Sequence, residues 1–517
     1  MSETLAPPRG LTAAHCSDRL EALPREVLQT LRRGVEKESL RVRPDGSLAA
    51  TPHPSALGSP LKHPRITTDF SESQPELITG VHASPESCVK ELTEIHQAVY
   101  RAIGDELLWA SSMPCRLPAE EQIPIGRYGT SNIARMKSVY RMGLSHRYGR
   151  RMQTISGIHY NFSLPEERSD DDYFALIRNF RRHLWLLLYL FGASPAVCST
   201  FVEGRKHELK PLSADTLYLP HATSLRMGRL GYQSDAQSAI QVTFNNLASY
   251  AASLEEALTK PYPAYEAIGV RKNGEYRQLA TSLLQMENEF YSTIRPKRVI
   301  RPGERPLHAL RDRGVEYVEV RLMDLDPFVP VGITAATMRF LDVFLLHCLL
   351  CESPPDDRQE LAQVLENKLR TASRGREPGL TLLREGEEVP LCEWAEELLA
   401  DCAPIAAALD RANGGRAYRD ALDAARAALA DPESTPSARV LQAMARDHKN
   451  SFVRFALERS RVHRDAIMAL PYPDDVAERF GRMARESIEE QKRVEASDTL
   501  PFEAFRELYL APIRLSE

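Results

Sequence analysis

Several stretches of this chain set carboxylates, a histidine and arginines two residues apart in strand-like sequence. In the segment 34–42 (GVEKESLRV), Glu36 and Glu38 alternate with Lys37. Residues two apart on a strand share a face and stand about 6–7 Å apart, so the two acids point the same way. Like charges there repel unless a cation lies beside them, and a divalent metal is one natural partner; the other reading is a solvated strand face. The segment 156–164 (SGIHYNFSL) sets Ile158, Tyr160, Phe162 and Leu164 on one side and His159, Asn161 and Ser163 on the other. The segment 315–322 (VEYVEVRL) repeats the design, with Tyr317, Glu319 and Arg321 opposite Val318 and Val320. Gln285, Glu287, Glu289 and Tyr291 alternate less cleanly with Met286, Asn288 and Phe290, and 65–72 (RITTDFSE) adds Asp69, with Glu76 just beyond. Together these segments predict a sheet curved around a polar interior that hard cations and a phosphate-bearing substrate would fill. Solvated faces are the competing account.

The elements must fit a chain of 517 residues and 58.1 kDa, longer than the ~100–200 residues of an ordinary domain. Apolar residues make up 43% and charged residues 26%, which removes collagen-like, disordered and membrane-bundle readings. With 66 basic against 71 acidic residues the net charge is −5, so no global positive field exists to hold a nucleic acid or an anionic membrane. The eight cysteines are scattered among apolar neighbours, which fits a reducing cytoplasm. Cys348 and Cys351 form a CxxC within an apolar helix face, and no second CxxC follows at zinc spacing, so both thiols are read as core. The opening MSETLAPPRG lacks the pattern of a secretory leader, and the apolar run 184–191 is about half the ~20 residues a bilayer requires.

Short β-like stretches are expected from 34 to 80, with a hairpin turn at Asp45-Gly46. A helix starts at Ser84-Pro85-Glu86, where Ser caps and Pro suits the first turn, and ends near Gly104. Another covers about 171–191. Strands are expected near 155–164, 283–293 and 315–322, in no regular βα alternation, so the fold class is α+β with a curved, mainly antiparallel sheet. From about 335 to 460 the Ala, Leu, Arg and Glu content predicts helices, with loops at 352–357 and 430–436. The expected organisation is a catalytic core over 1–345 and a mainly helical region over 346–517 packed on it. No GxxxxGK[ST], GxGxxG or HExxH pattern occurs. The basic runs 146–151 (HRYGRR) and 294–298 (IRPKR) are either solvated or in contact with phosphate oxygens.

The segments 33–42 (RGVEKESLRV), 66–70 (ITTDF), 128–132 (YGTSN), 152–162 (MQTISGIHYNF), 190–196 (LFGASPA), 222–226 (ATSLR), 294–298 (IRPKR) and 316–321 (EYVEVR) resemble, in order, those of bacterial glutamate–cysteine ligases. The resemblance covers about residues 25–345 and continues more weakly beyond. It implies a funnel-like active site on a sheet related to the core of glutamine synthetase. The implied reaction is ATP-dependent joining of the glutamate γ-carboxylate to the cysteine amine through a γ-glutamyl phosphate. Glu36, Glu38, Asp69, Glu76, His159 and Glu319 resemble the ligands of two or three magnesium ions, with manganese an alternative; Glu36, Glu319 and Arg321 take the catalytic roles. Arg226 resembles the clamp on the glutamate α-carboxylate, with Ile155 and Asn161 beside it. Phe70, Tyr140, Leu144, Gln153, Tyr232 and Tyr291 correspond to the cysteine pocket, and Arg321, Arg295 and Lys297 to ATP contacts. One departure is Pro75 before Glu76, which suits an edge or a bulge and puts the orientation of Glu76 in question. The implied partners are glutamate, cysteine and ATP, with no nucleic acid or membrane, and a monomeric cytoplasmic protein. A carboxylate–amine ligase acting on another small amine and a non-catalytic metabolite-binding relative are the rival readings.

Overall fold

A computed structural model describes residues 13–231, 236, 240, 242–301 and 303–511. Its centre is a six-stranded sheet of β1 (Arg32–Glu38), β2 (Ile66–Thr68), β3 (Pro75–Ile78), β4 (Ile158–Ser163), β5 (Ile294–Lys297) and β6 (Tyr317–Met323). The strand order is β5-β6-β4-β1-β3-β2, and every neighbouring pair is antiparallel. The α+β class with an antiparallel sheet is therefore observed.

Register decides the rest. Glu36 lies opposite His159, Glu38 opposite Glu76, and Glu319 opposite both Asn161 and Arg295. Directly opposed residues of an antiparallel pair project from the same face, so the polar residues collect on one side of the sheet. A one-residue slip in any pair would send that set into the core, where Val35, Leu77, Tyr160, Phe162, Val318 and Val320 are fully buried. Pro75 opens β3 opposite Thr68, a strand-start position where no ladder N–H is missed, and its carbonyl accepts from Ser39 N at 3.1 Å. Glu76 consequently keeps its place on the polar face.

The apolar face is covered by helices. In α1 (Pro85–Ala102) the Ser84 hydroxyl accepts from Ser87 N at 3.1 Å, and Cys88, Leu92, Ile95 and Val99 form the buried stripe at three- and four-residue spacing. Helix α2 (Asn132–Tyr148) borders the polar side, while α3 (Asp170–Phe191) and α4 (Ala335–Leu350) are buried along most of their length. A buried ion pair fastens the sheet to this layer: Arg33 of β1 meets Asp342 of α4 at 2.9 Å, and the Tyr160 hydroxyl donates to the same carboxylate at 2.6 Å. The hairpin turn forms as expected, with Gly46 at φ +85°, a left-handed conformation that glycine adopts without steric cost.

Among the described residues beyond position 350 the regular structure is helical apart from one hairpin, Thr381–Arg384 with Glu387–Pro390. It includes α5 (Leu391–Asn413), α6 (Ala417–Ala430), α7 (Phe452–Ala469) and α8 (Asp474–Ser497). Helix α8 returns to the sheet end: Ser59 N donates to Ser487 Oγ at 2.9 Å, and Thr130 N to Glu495 at 2.9 Å. Among the described residues no helix is long and apolar enough to cross a membrane.

One expected strand is absent. Residues 283–293 form a loop with a 3-10 turn, Glu287–Glu289, ahead of β5. The Glu289 carboxylate curls the chain back by accepting from Gln285 N at 2.8 Å, while Arg147 and the Tyr148 hydroxyl hold its other oxygen at 2.8 and 2.7 Å. Glu287 turns the opposite way into a buried pair with Arg305 at 3.0 Å. The alternating acids of this stretch are structural anchors.

Candidate active site

His159 organises the polar face. Its Nδ1 lies 3.0 Å from Glu36 Oε2 and 4.0 Å from Glu319 Oε1, and its Nε2 lies 3.6 Å from Glu38 Oε1. Two overlapping donor groups result, Glu36–His159–Glu319 and Glu38–Glu76–His159, each with ligand atoms within 4.8 Å of one another. Asn161 Nδ2 donates to Glu36 Oε1 at 3.0 Å, while its buried Oδ1 has no hydrogen-bond partner. Asp69 belongs to neither group; its backbone carbonyl accepts from the Tyr128 hydroxyl at 2.7 Å, and its charge acts on Glu38 and Glu76. Glu72, also in that segment, anchors loops by accepting from His53 N and Arg127 N, both at 2.8 Å.

The acids do not balance themselves. Burial, then the neighbouring Asp69, pushes the Glu38 carboxyl up to about 8, and burial with Glu36, Asp69 and Glu38 drives Glu76 well above the carboxylate range. Burial and Glu319 work against Glu36 too, but the hydrogen bond with His159 and the charge of Lys297 hold it below its ordinary value. At Glu319 burial is overcome by Lys297, 3.1 Å away, and Arg321, 2.8 Å away, and the carboxyl stays well below its usual range. Burial, then Arg321, lowers His159, keeping the imidazole neutral as a metal ligand must be. Crowded, desolvated carboxylates beside a neutral imidazole and an orphaned amide oxygen are a donor set that fits hard divalent cations.

The cations divide into two kinds. Lys297 and Arg321 face the acids. Arg295 donates to the carbonyls of Asn288, at 2.9 Å, and Phe290, so its guanidinium also braces the loop before β5. Of the other basic run, Arg147 is buried against Glu289, Arg150 donates to the Glu121 and Ile123 carbonyls, and Arg151 pairs with Glu203. Both solvation and phosphate contact are replaced there by internal ties.

Arg226 is buried beside this face. Its Nη2 donates to the Arg321 carbonyl at 2.9 Å, and its Nη1 lies 3.8 Å from Asp324 Oδ1. Asp324 is itself held by Ala193 N at 2.9 Å and the Ser224 hydroxyl at 3.1 Å. A Cβ at Gly157 would stand 2.0 Å from Arg226 Nη2, so any side chain there would displace the guanidinium, and Gly157 N donates to Glu38 Oε2 at 2.8 Å. One glycine thus joins the arginine to the acid cluster.

Phe70, Tyr140 and Leu144 share an apolar cluster with Met136, Leu279 and Phe502. Gln153 and Tyr291 form a second set, with Gln153 Nε2 donating to the Tyr291 hydroxyl at 2.7 Å, and Ile155 lies in the core cluster against which Tyr291 packs. Tyr148, packed on both clusters and edge-on to Tyr291 with ring centroids 5.6 Å apart, links the sets. Tyr232 lies outside the described residues.

The sequence model of the family described as glutamate-cysteine ligase matches residues 19–371. This chain belongs to the glutamate–cysteine ligase family. Its sequence is 51% identical to the glutamate–cysteine ligase of Pseudomonas entomophila over 505 residues, covering 94% of this chain and 95% of that protein. It is 50% identical to that of Azotobacter vinelandii over 522 residues, covering 96% and 98%. Among solved structures, the Francisella tularensis glutamate–cysteine ligase in complex with AMP matches with TM-score 0.88 and 35% identity, covering 93% of this chain and 97% of that one. A bifunctional glutathione synthetase from Pasteurella multocida matches with TM-score 0.69 and 26% identity, covering 92% of this chain and 58% of that one.

Within this ligase fold, several residues of the site carry no local sequence signal. Phe502 joins Phe70 and Tyr140 from more than 350 residues away, and Asp324 sits among Leu322, Met323 and Leu325, where nothing marks it as the partner of Arg226. Gly157 offers a weak signal, a glycine directly before a clean β alternation, which marks close backbone or side-chain approach.

Proposed function

We infer that this chain performs the glutamate–cysteine ligase reaction, joining the γ-carboxylate of L-glutamate to the amino group of L-cysteine with conversion of ATP to ADP and phosphate, the first step of glutathione biosynthesis. The observation that carries this reading is the pair of overlapping carboxylate groups sharing His159 on one sheet face, with Lys297 and Arg321 beside them. Glu36, Glu38, Asp69, Glu76, His159 and Glu319 would hold two or three magnesium ions, or manganese. Bound there, the ions supply charge neutralisation between the triphosphate and the glutamate carboxylates.

In the first step a glutamate γ-carboxylate oxygen bonds to the γ-phosphorus, the bond from that phosphorus to the β–γ bridging oxygen breaks, and ADP departs. In the second the cysteine nitrogen bonds to the γ-carbonyl carbon, the carbon–oxygen bond to phosphate breaks, and phosphate and a proton are released. Arg321 and Lys297 meet the charge on the transferring phosphoryl group, with Arg295 on the ATP side. Arg226 holds the glutamate α-carboxylate through its planar fork, with Ile155 and Asn161 lining that side. Phe70, Tyr140, Leu144, Gln153 and Tyr291 enclose the short thiol side chain. A funnel-shaped, glutamine-synthetase-like sheet, a catalytic core over 1–345 and a cytoplasmic monomer belong to the same reading. It is supported by the face-sharing registers and by the AMP complex of the Francisella relative.

The test is ADP release with glutamate and cysteine each omitted in turn. Release that needs both supports the assignment; release with neither contradicts it, and binding of ATP without turnover would revive a metabolite-binding relative. A panel of small amines tests the pocket, and equal rates with alanine-like amines would defeat the thiol preference.

A further inference from the structure

Behind the sheet, where the ligase reaction has no use for it, three further donor side chains converge. His183 of α3 and His347 and Cys348 of α4 bring their ligand atoms within 4.8 Å of one another. All three residues are sealed from solvent, with exposures of 4%, 2% and 0%. We propose that His183, His347 and Cys348 bind one soft or borderline d10 transition-metal ion, Zn2+ or Cu+, that clamps α3 to α4.

Two observations separate this cluster from ordinary core packing. First, the Nδ1 atoms of both histidines are buried without a hydrogen-bond partner, and a buried polar nitrogen left unpaired costs free energy that a metal–ligand bond would remove. Second, the rings converge with the thiol: the two imidazole centroids lie 6.0 Å apart, and Trp394 of α5 closes edge-on over His183 at 6.0 Å. Burial keeps both imidazoles neutral, His347 being lowered to about 4, so each ring has a bare nitrogen to offer. Two imidazoles and a thiolate are softer donors than the carboxylates of the active site, and they select Zn2+ or Cu+ over Mg2+. Burial, then Cys402 of α5 and Cys16, holds the Cys348 thiol well above its ordinary range, so the metal must displace its proton; neither of those two sulfurs belongs to the three-residue group. On binding, a metal–sulfur bond forms, the Cys348 S–H bond breaks and the proton leaves to solvent; no electron is transferred.

Because the site is enclosed, the ion is captured as the helices pack and is retained afterwards, whereas the active-site ions face the substrate cleft. The experiment is to express the full chain in zinc- or copper-supplemented medium, purify it in magnesium, treat it with EDTA, desalt it and measure metals by mass spectrometry. The expected result is about one zinc or copper ion per chain in the wild type and in Glu36→Gln, and at least ~10-fold less in Cys348→Ser. A wild-type chain stripped of both metals, or a Cys348→Ser variant that retains as much as wild type, overturns the proposal. Should Cys348→Ser fail to fold, X-ray absorption on the metal retained by the wild type decides. Sulfur and imidazole neighbours support the site, and an oxygen-only environment overturns it.

Discussion

The two faces of β1 use charge in opposite ways. On the helix side, Arg33 meets Asp342 with side-chain exposures of 1% and 0%, and Tyr160 fills out the carboxylate, so this pair is charge-balanced, while burial lowers Lys37 on the same face to about 7, with its amine 2.7 Å from His96 Nε2. On the other side, Glu36, Glu38, Glu76 and Glu319 gather around a single neutral imidazole with the charge of Asp69 acting on Glu38 and Glu76, while Lys297 and Arg321 form their ion pairs with Glu319. The first pair balances its charge without a ligand, although Arg33 Nη1 is left without a hydrogen-bond partner. The second group does not, because Glu38 and Glu76 resist ionisation until positive charge arrives. Alternation along one strand therefore separates a charge pair that holds the fold from a charge deficit that suits cations.

Substitutions can break this contrast, and the largest effect should come from the ligand face. Glu319→Gln removes a donor and the charged acceptor of Lys297 and Arg321, and turnover should fall about 10²–10³-fold or more, with a smaller drop in melting temperature because both cations lose their ion pair. Steady-state kinetics with thermal melting checks both halves. On the opposite face Asp342→Ala leaves Arg33 buried and unpaired, so stability should fall by about 3–5 kcal/mol, with kcat per folded molecule nearly unchanged. Denaturant titration measures this.

Arg226→Lys sharpens the comparison from within the site. An ammonium cannot reproduce a two-pronged grip on a carboxylate, so KM for glutamate should rise about tenfold or more with a smaller change for ATP. A smaller effect is expected from pH. Burial lowers His63 and His463 to about 4. The unfolded chain takes up protons at about 6.5 that the fold refuses, so stability is fully present above ~6.5 and is lost as pH falls towards 4. The slope is on the order of 1 kcal/mol per histidine per pH unit. Denaturation midpoints measured between pH 7 and 4.5 test the sign, and a flat profile would contradict it.

What was legible in the sequence is what period-two alternation encodes. Glu36 with Glu38, His159 with Asn161, and Glu319 with Arg321 could be assigned to faces because each strand carries its own apolar side. The alternation of 283–293 misled, since Glu287 and Glu289 are acids whose partners, Arg305 and Arg147, lie on other segments and pull the chain out of extension. Phe502, Asp324 and the convergence of His183 with His347 and Cys348 depend on long-range packing, which leaves no local period to read. Pro75 looked disruptive, yet at a strand start its missing N–H removes nothing from the ladder.

The most direct test counts ions. Manganese bound at saturating non-hydrolysable ATP analogue, measured by electron paramagnetic resonance, should be lower by one or more ions per chain in Glu38→Gln/Glu76→Gln than in the wild type, with the fold intact. An equal count in the two proteins would contradict the claim that the acids of this sheet face exist to hold divalent cations.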